Sequence, residues 1–264
     1  MENEKTIGSN PSQVIQSLWI GGSLSTMEQL SAKSFLKQGH EYHLYTYGTV
    51  GGIPTGVIVK DANEILDKRE IYRYKNGSYS AFSNLFRFTL LEKRGGYWAD
   101  TDLVCVRSLK QLDSVPIVIP TEPSVKYDNE IIPTSCFIKL PRGSEIAKEG
   151  VRIQREHKKM IINGNLTWSS GPKTVQDLVG KYNLKDKLLN WRAVCSCSWK
   201  DAKSIVDPQR MRYHRSVVRS LDNIPDNMYC IHLWNEIWRR SGANKNGTYY
   251  PDSLYEQMKR TILI

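Results

Sequence analysis

Strands alternating with amphipathic helices predict an α/β fold on a mainly parallel central sheet, flanked by helices, with an irregular C-terminal third. Three observations carry this reading. Apolar runs of strand length alternate with segments of helical period along the N-terminal half. Glycines and capping residues separate them at the expected places. The chain has 264 residues, 40% of them apolar and seven of them Trp, enough for a real core in one domain.

Val14–Ile20 (VIQSLWI) predicts a first buried strand, broken by Gly21-Gly22. Ser25-Thr-Met-Glu28 is a capping box opening a helix to about Gln38, where Gly39 stops it. Glu41–Tyr47 alternates as a second strand and Val57–Lys60 forms a short third. Asp61 caps a short helix, with Glu64 reaching back to it. Ser78–Lys93 predicts a helix with Phe82, Leu85, Phe86 and Leu90 on one face and Ser80, Asn84 and Arg87 on another. Gly95-Gly96 ends it, and Tyr97-Trp98-Ala99 starts the strand that delivers Asp100 and Asp102. Val115–Pro120 and Ser135–Leu140 predict further strands, and Ser144 caps a helix to about Met160. Beyond Asn163 the pattern weakens to a helix over Lys173–Val179, an apolar strand over Met228–Trp234, a basic tail and a helix from Ser253.

Net charge is +10 with a pI near 9.3, which favours anionic partners. The charge is spread out, with clusters at Arg152–Lys159 and Arg210–Arg219. They read as solvated faces or as contacts to an acidic membrane surface, and no nucleic-acid motif accompanies them. The polar N-terminus has no apolar signal region, and no stretch has the apolar length of a membrane span. Five cysteines, at 105, 136, 195, 197 and 230, read as reduced and mainly structural thiols, because Cys195-Ser-Cys197 is too tight for a zinc knuckle. The expectation is a cytoplasmic protein, peripheral at an inner membrane face.

Chemistry is concentrated at Asp100-Thr101-Asp102. In extended backbone, side chains two apart share a face, so two carboxylates there repel unless a positive charge intervenes. A hard divalent cation supplies it and can carry a diphosphate. The alternative is a polar turn after a strand. No phosphate-binding glycine loop, dinucleotide fingerprint or Ser-His-Asp set stands out.

The run SNLFRFTLLEKRGGYWADTDLV, from Ser83 to Val104, resembles the pattern S-D-x-x-R, L, G-G-x-Y, D-x-D of the DXD-containing sugar transferases of the GT-A fold. Among them are the α1,4-galactosyl and N-acetylglucosaminyl transferases, the yeast initiating mannosyltransferases and the clostridial glucosylating toxins. The resemblance implies a single GT-A-like domain, with residues 1–110 as nucleotide-sugar half and 111–264 as acceptor half. It implies that Asn84, standing where the pattern has Asp, and Arg87 contact the donor, and that Asp100, Asp102 and Arg87 are catalytic. Trp19 and Gly21, in a W-I-G segment, would meet the nucleotide base. His232, in an H-x-W-N segment, would join Asp102 on the metal, while Trp234 and Asn235 meet the donor. Ser169-Ser170-Gly171-Pro172 would be a loop lining the site. The cofactor implied is Mn²⁺ or Mg²⁺ and the donor a UDP-sugar, with GDP-mannose the rival. The acceptor is a glycan or glycolipid, the outcome retaining. The competing reading is a non-catalytic basic protein that binds glycan or nucleic acid.

Overall fold

The computed structural model describes residues 14–124, 131–166, 170–210 and 218–263. Of the expectations above, the polar N-terminus up to residue 13, Ser169 and most of the basic cluster at 211–217 lie outside them. The central sheet has five strands: β1 (Ile15–Trp19), β2 (Tyr42–Thr46), β3 (Val57–Asp61), β4 (Gly96–Ala99) and β8 (Phe137–Leu140), in the order β3-β2-β1-β4-β8. β1 runs parallel to both β2 and β4, and β2 parallel to β3, while β8 is antiparallel to β4. The remaining strands are β5 (Leu103–Cys105), β6 (Ile119–Pro123), β7 (Ile131–Pro133), β9 (Leu188–Leu189) and β10 (Cys230–His232). β10 pairs antiparallel with β5, and β6 lies between β7 and β9.

Alternation along the strands builds two cores. Leu18, Tyr45, Trp98 and Ile138 face α2 (Ser80–Arg94), α3 (Glu145–Ile162) and α4 (Ser170–Lys181). Ile15, Leu44, Tyr97, Ala99 and Phe137 face the other way, with Phe35 of α1 (Thr26–Lys37). A third cluster gathers α5 (Asn235–Ser241), α6 (Leu254–Ile262), β10 and the 3₁₀ segment Trp199–Ile205. Among the described residues, no helix is long and apolar enough to cross a membrane. All five cysteines are free and buried.

The first capping box forms as expected: the Glu28 carboxylate accepts from the Ser25 backbone N–H at 2.8 Å. Four expectations change. Glu64 does not reach back to Asp61; it pairs with Arg94 at 2.8 Å, and Asp61 alone caps through the Asn63 N–H. The strand expected over Val115–Pro120 starts only at Ile119, after a 3₁₀ turn over Leu109–Leu112 and the loop that follows it. The Gly171-Pro172 loop is the first turn of α4, where proline costs no intrahelical bond. The basic tail after Trp234 opens as α5, entered through Trp234 in left-handed backbone (φ 60°).

α2 sits centrally because it packs closely on α3. A Cβ on Gly150 of α3 would lie inside van der Waals contact of the Phe88 ring. We predict that Gly150→Ala destabilises the protein, because overpacking costs about 1–3 kcal/mol against a helix-propensity gain of about 1 kcal/mol. A lower urea midpoint is expected; a raised one would mean that α2 and α3 can part without loss.

Candidate functional site

The site is assembled around a buried cation on α2. Arg87 is 2% exposed. Its Nη1 donates to Asn84 Oδ1 at 2.9 Å, and its Nη2 donates to Asp100 Oδ1 at 2.5 Å. Asp100 Oδ1 also accepts from Trp98 Nε1 at 2.8 Å, and the guanidinium lies 5.0 Å from the Trp98 ring centre. Asn84 Nδ2 donates to Ser170 Oγ at 2.9 Å, and Tyr74 Oη donates to the same hydroxyl at 2.6 Å. One chain of bonds therefore runs from the first turn of α4 through α2 to the end of β4. It needs Gly171, where a Cβ would lie 2.7 Å from both Asn84 Oδ1 and Ser135 Oγ. The polar face of α2 predicted from periodicity faces the protein interior rather than solvent. Each Nη group of Arg87 donates to a protein partner, while its Nε N–H is buried without one among the described residues.

Asp100-Thr101-Asp102 is a turn, not the extended end of a strand: β4 stops at Ala99, and the Leu103 N–H closes on Asp100 O at 3.2 Å. Its two carboxylates are satisfied separately. Asp100 takes Arg87 and Trp98. Asp102 Oδ2 accepts from the Asn235 N–H at 2.8 Å and lies 3.3 Å from His232 Nε2. β10 makes this possible, because His232 pairs with Leu103 across the ladder and the Leu233 N–H binds Asp102 O at 2.9 Å. The left-handed Trp234 then turns the chain so that α5 begins against Asp102. Its indole lies 4.1 Å from the His232 ring, tilted by 34°, and donates to Cys197 O at 3.3 Å.

Burial pushes the Asp100 carboxyl up, against the pull of Arg87 and with the repulsion of Asp102 added. Burial pushes Asp102 the same way, but His232 and the Asn235 N–H outweigh it and hold Asp102 below the usual carboxylate range. His232 is the mirror case: burial lowers its pKa, while Asp102 raises it above the usual imidazole value.

These groups open on one cleft of about 1010 Å³. Trp19, Asn84, Arg87, Asp100, Asp102, Gly171, His232, Trp234 and Asn235 all line it. Gly21 is outside the lining and backs the Trp19 indole, where a Cβ would lie 3.0 Å from Nε1. Sequence reasoning missed Lys245, Glu122 and Trp199, which also line the cleft. Lys245 Nζ lies 5.6 Å from the Trp19 ring centre and is held at 2.6 Å by Glu28 Oε1, while its charge helps to lower Asp102. The capping box marked Glu28, but nothing local marked its partner 217 residues away. Glu122 is a carboxyl pushed up by burial, against the pull of His232.

The residues present fit a divalent cation. The 3.3 Å between His232 Nε2 and Asp102 Oδ2 is near the roughly 3 Å that separates adjacent ligands on an octahedron with bonds of about 2.1 Å. Asn235 Oδ1 and His232 Nδ1 are buried without a hydrogen-bond partner. Among the described residues no three His, Cys, Asp or Glu side chains form a metal cluster. The protein would thus offer two ligands and leave the rest to phosphate and water, as suits Mg²⁺-like ions.

Residues 25–124 match the family described as a glycosyltransferase sugar-binding region containing a DXD motif. No curated protein matches the chain in sequence. Among solved structures the chain is similar to the PaToxG glycosyltransferase, at 15% identity and a TM-score of 0.47 over 67% of this chain and 72% of that one. It is similar to the glycosyltransferase GlyE of Streptococcus pneumoniae TIGR4, at 12% identity and a TM-score of 0.46 over 95% of this chain and 64% of that one. It is also similar to the galactosyltransferase LgtC solved with donor and acceptor sugar analogues, at 9% identity and a TM-score of 0.45 over 83% and 86% of the two chains. The family match takes in the Asp100–Asp102 turn and the Arg87 helix.

Proposed function

We propose that the chain is a metal-dependent GT-A-type glycosyltransferase that moves a sugar from a UDP-sugar to a hydroxyl of an acceptor glycan or glycolipid, with retention. The observation that carries this reading is the convergence of an aromatic ring, a cation and an acid–imidazole pair on one cleft. Trp19, Lys245 and Asp102–His232 match the base, the diphosphate and the cation of a nucleotide sugar.

Stacking of Trp19 on the base would contribute about 1–3 kcal/mol. Lys245, held over Trp19 by Glu28, would put a point charge on the diphosphate. Asp102 and His232 would hold Mn²⁺ or Mg²⁺, which as a Lewis acid stabilises charge on the departing diphosphate. Arg87 acts by holding Asp100 toward the donor sugar, with Asn84 and Trp98 fixing both. Gly171, Trp234 and Asn235 complete the donor wall. In the reaction the bond from C1 to the β-phosphate oxygen breaks and a bond from the acceptor oxygen to C1 forms on the same face. The acceptor proton passes to the departing phosphate oxygen. Preorganised charge at that phosphate is the main catalytic term. Residues 1–110 supply most of the donor side, joined by His232, Asn235 and Lys245; the acceptor side belongs to residues 111–264. Support for a cytoplasmic location at an acidic membrane face comes from the five free thiols and the net charge of +10.

Thermal melting with a panel of nucleotide sugars and Mn²⁺ is expected to give a selective rise with one UDP-sugar, worth about 2.7 kcal/mol at a hundredfold excess over Kd. A rise with GDP-mannose alone would make the enzyme a mannosyltransferase, and binding indifferent to Mn²⁺ would count against the metal reading. Asp102→Asn should lower Mn²⁺-dependent turnover by roughly 10²–10³-fold; an unaffected rate would favour a non-catalytic binding protein. Trp19→Ala should weaken nucleotide binding by about 1–3 kcal/mol, or roughly 5- to 150-fold, seen by calorimetry with UDP. Cosedimentation should be stronger with vesicles containing anionic lipid than with neutral ones, and equal binding would remove the membrane contact.

A further inference from the structure

Among the described residues, four tryptophans line the cleft, at 19, 98, 199 and 234. Trp98 and Trp234 are buried, and each spends its indole N–H on a protein oxygen. Trp19 is partly buried against Gly21 and Lys245. Trp199 differs: the residue is 39% exposed although it lines the cleft. An exposed indole on a convex surface needs no explanation, but one kept in a cleft among polar groups offers a ligand a flat apolar face.

This side chain is mounted on a packed segment. Trp199 opens the 3₁₀ segment Trp199–Ile205, which is anchored by buried Ala202 and Ile205. Two residues earlier, Cys197 O accepts from the Trp234 indole, and that indole lies tilted against the His232 ring. The platform is therefore tied through Trp234 to the Asp102–His232 pair. α5 packs on the same segment and carries Ile237 and Arg240 to the cleft lining. Trp19 packs against the core cluster of α1 and the sheet, while the Trp199 segment belongs to the C-terminal cluster. A nucleotide sugar has one base to stack, and Trp19 meets that need.

We infer that Trp199 is the acceptor platform of this enzyme, an indole face that takes the pyranose ring of the acceptor glycan. The inference rests on the transferase reading above. A pyranose suits the position, because its C–H face is apolar and its rim of hydroxyls can use polar side chains of the cleft.

The test uses the full chain with Mn²⁺ and UDP on an array of oligosaccharides ending in hexose, N-acetylhexosamine or uronic acid. The wild-type chain should bind at least one terminal class. Trp199→Ala should lose about tenfold or more in that binding, and Trp199→Phe should stay within about threefold, since a second ring restores the face. Melting temperatures check the fold, and Trp199→Gln replaces the alanine variant should that one melt lower. Undiminished binding by the ring-less variant overturns the inference, as does a wild-type chain that binds no glycan. Turnover of nucleotide sugar to water by the wild-type chain is measured in parallel. Absence of turnover overturns the transferase reading, whereas turnover with a failed array overturns only the platform.

Discussion

A guanidinium buried in the middle of a helix sets the terms for this structure. Removing a charge of that size from water is costly unless it is paired and hydrogen-bonded. Arg87 meets that condition with Asp100 and Asn84, and its flat face lies near Trp98. Satisfying it ties together the central helix, the last strand of the parallel run and, through Ser170, the start of α4. The pair also fixes the first acid of the Asp-Thr-Asp turn, leaving the second free to face β10. Breaking such a pair strands a charge, so position and stability are secured by the same bonds.

The second organising feature is the return of the C-terminal segment to the N-terminal half. β10 lies along β5, bringing His232 beside Asp102, and the turn at Trp234 starts α5 against the same carboxylate. Farther on, Asn246 accepts from the backbone N–H of Thr26 at 2.8 Å, and Lys245 reaches Glu28. Glu28 thus serves twice. One oxygen closes the capping box of α1 and the other orients the lysine over Trp19. A local helix-start signal becomes, in the folded chain, the anchor of a cleft residue.

The division of labour in the cleft follows from this arrangement. The sheet half contributes the Trp19 ring, the acid turn and the buried arginine, the last two held by hydrogen bonds. The C-terminal half contributes groups that face them: an imidazole, a lysine and an exposed indole. Groups built on packed elements are better placed for catalysis than groups on free loops, because their geometry is fixed before the ligand arrives.

Local rules made much of this legible in advance. Periodicity and capping gave β1, α1, β2, α2 and α6 nearly to the residue, because each is specified by neighbours a few positions away. The resemblance named Asn84, Arg87, Asp100, Asp102 and His232, and the fold brings all five to one cleft. What the sequence determined by itself was therefore the fold class and the acid turn with its helix. Tertiary structure decided the rest: that Arg87 is spent on Asp100, that the turn's two acids have separate partners, and that Lys245, Glu122 and Trp199 belong to the cleft. Those facts depend on contacts between residues as far as 217 positions apart, such as Lys245 with Glu28. Helical and strand periods reach only a few neighbours, so no local pattern carries that information.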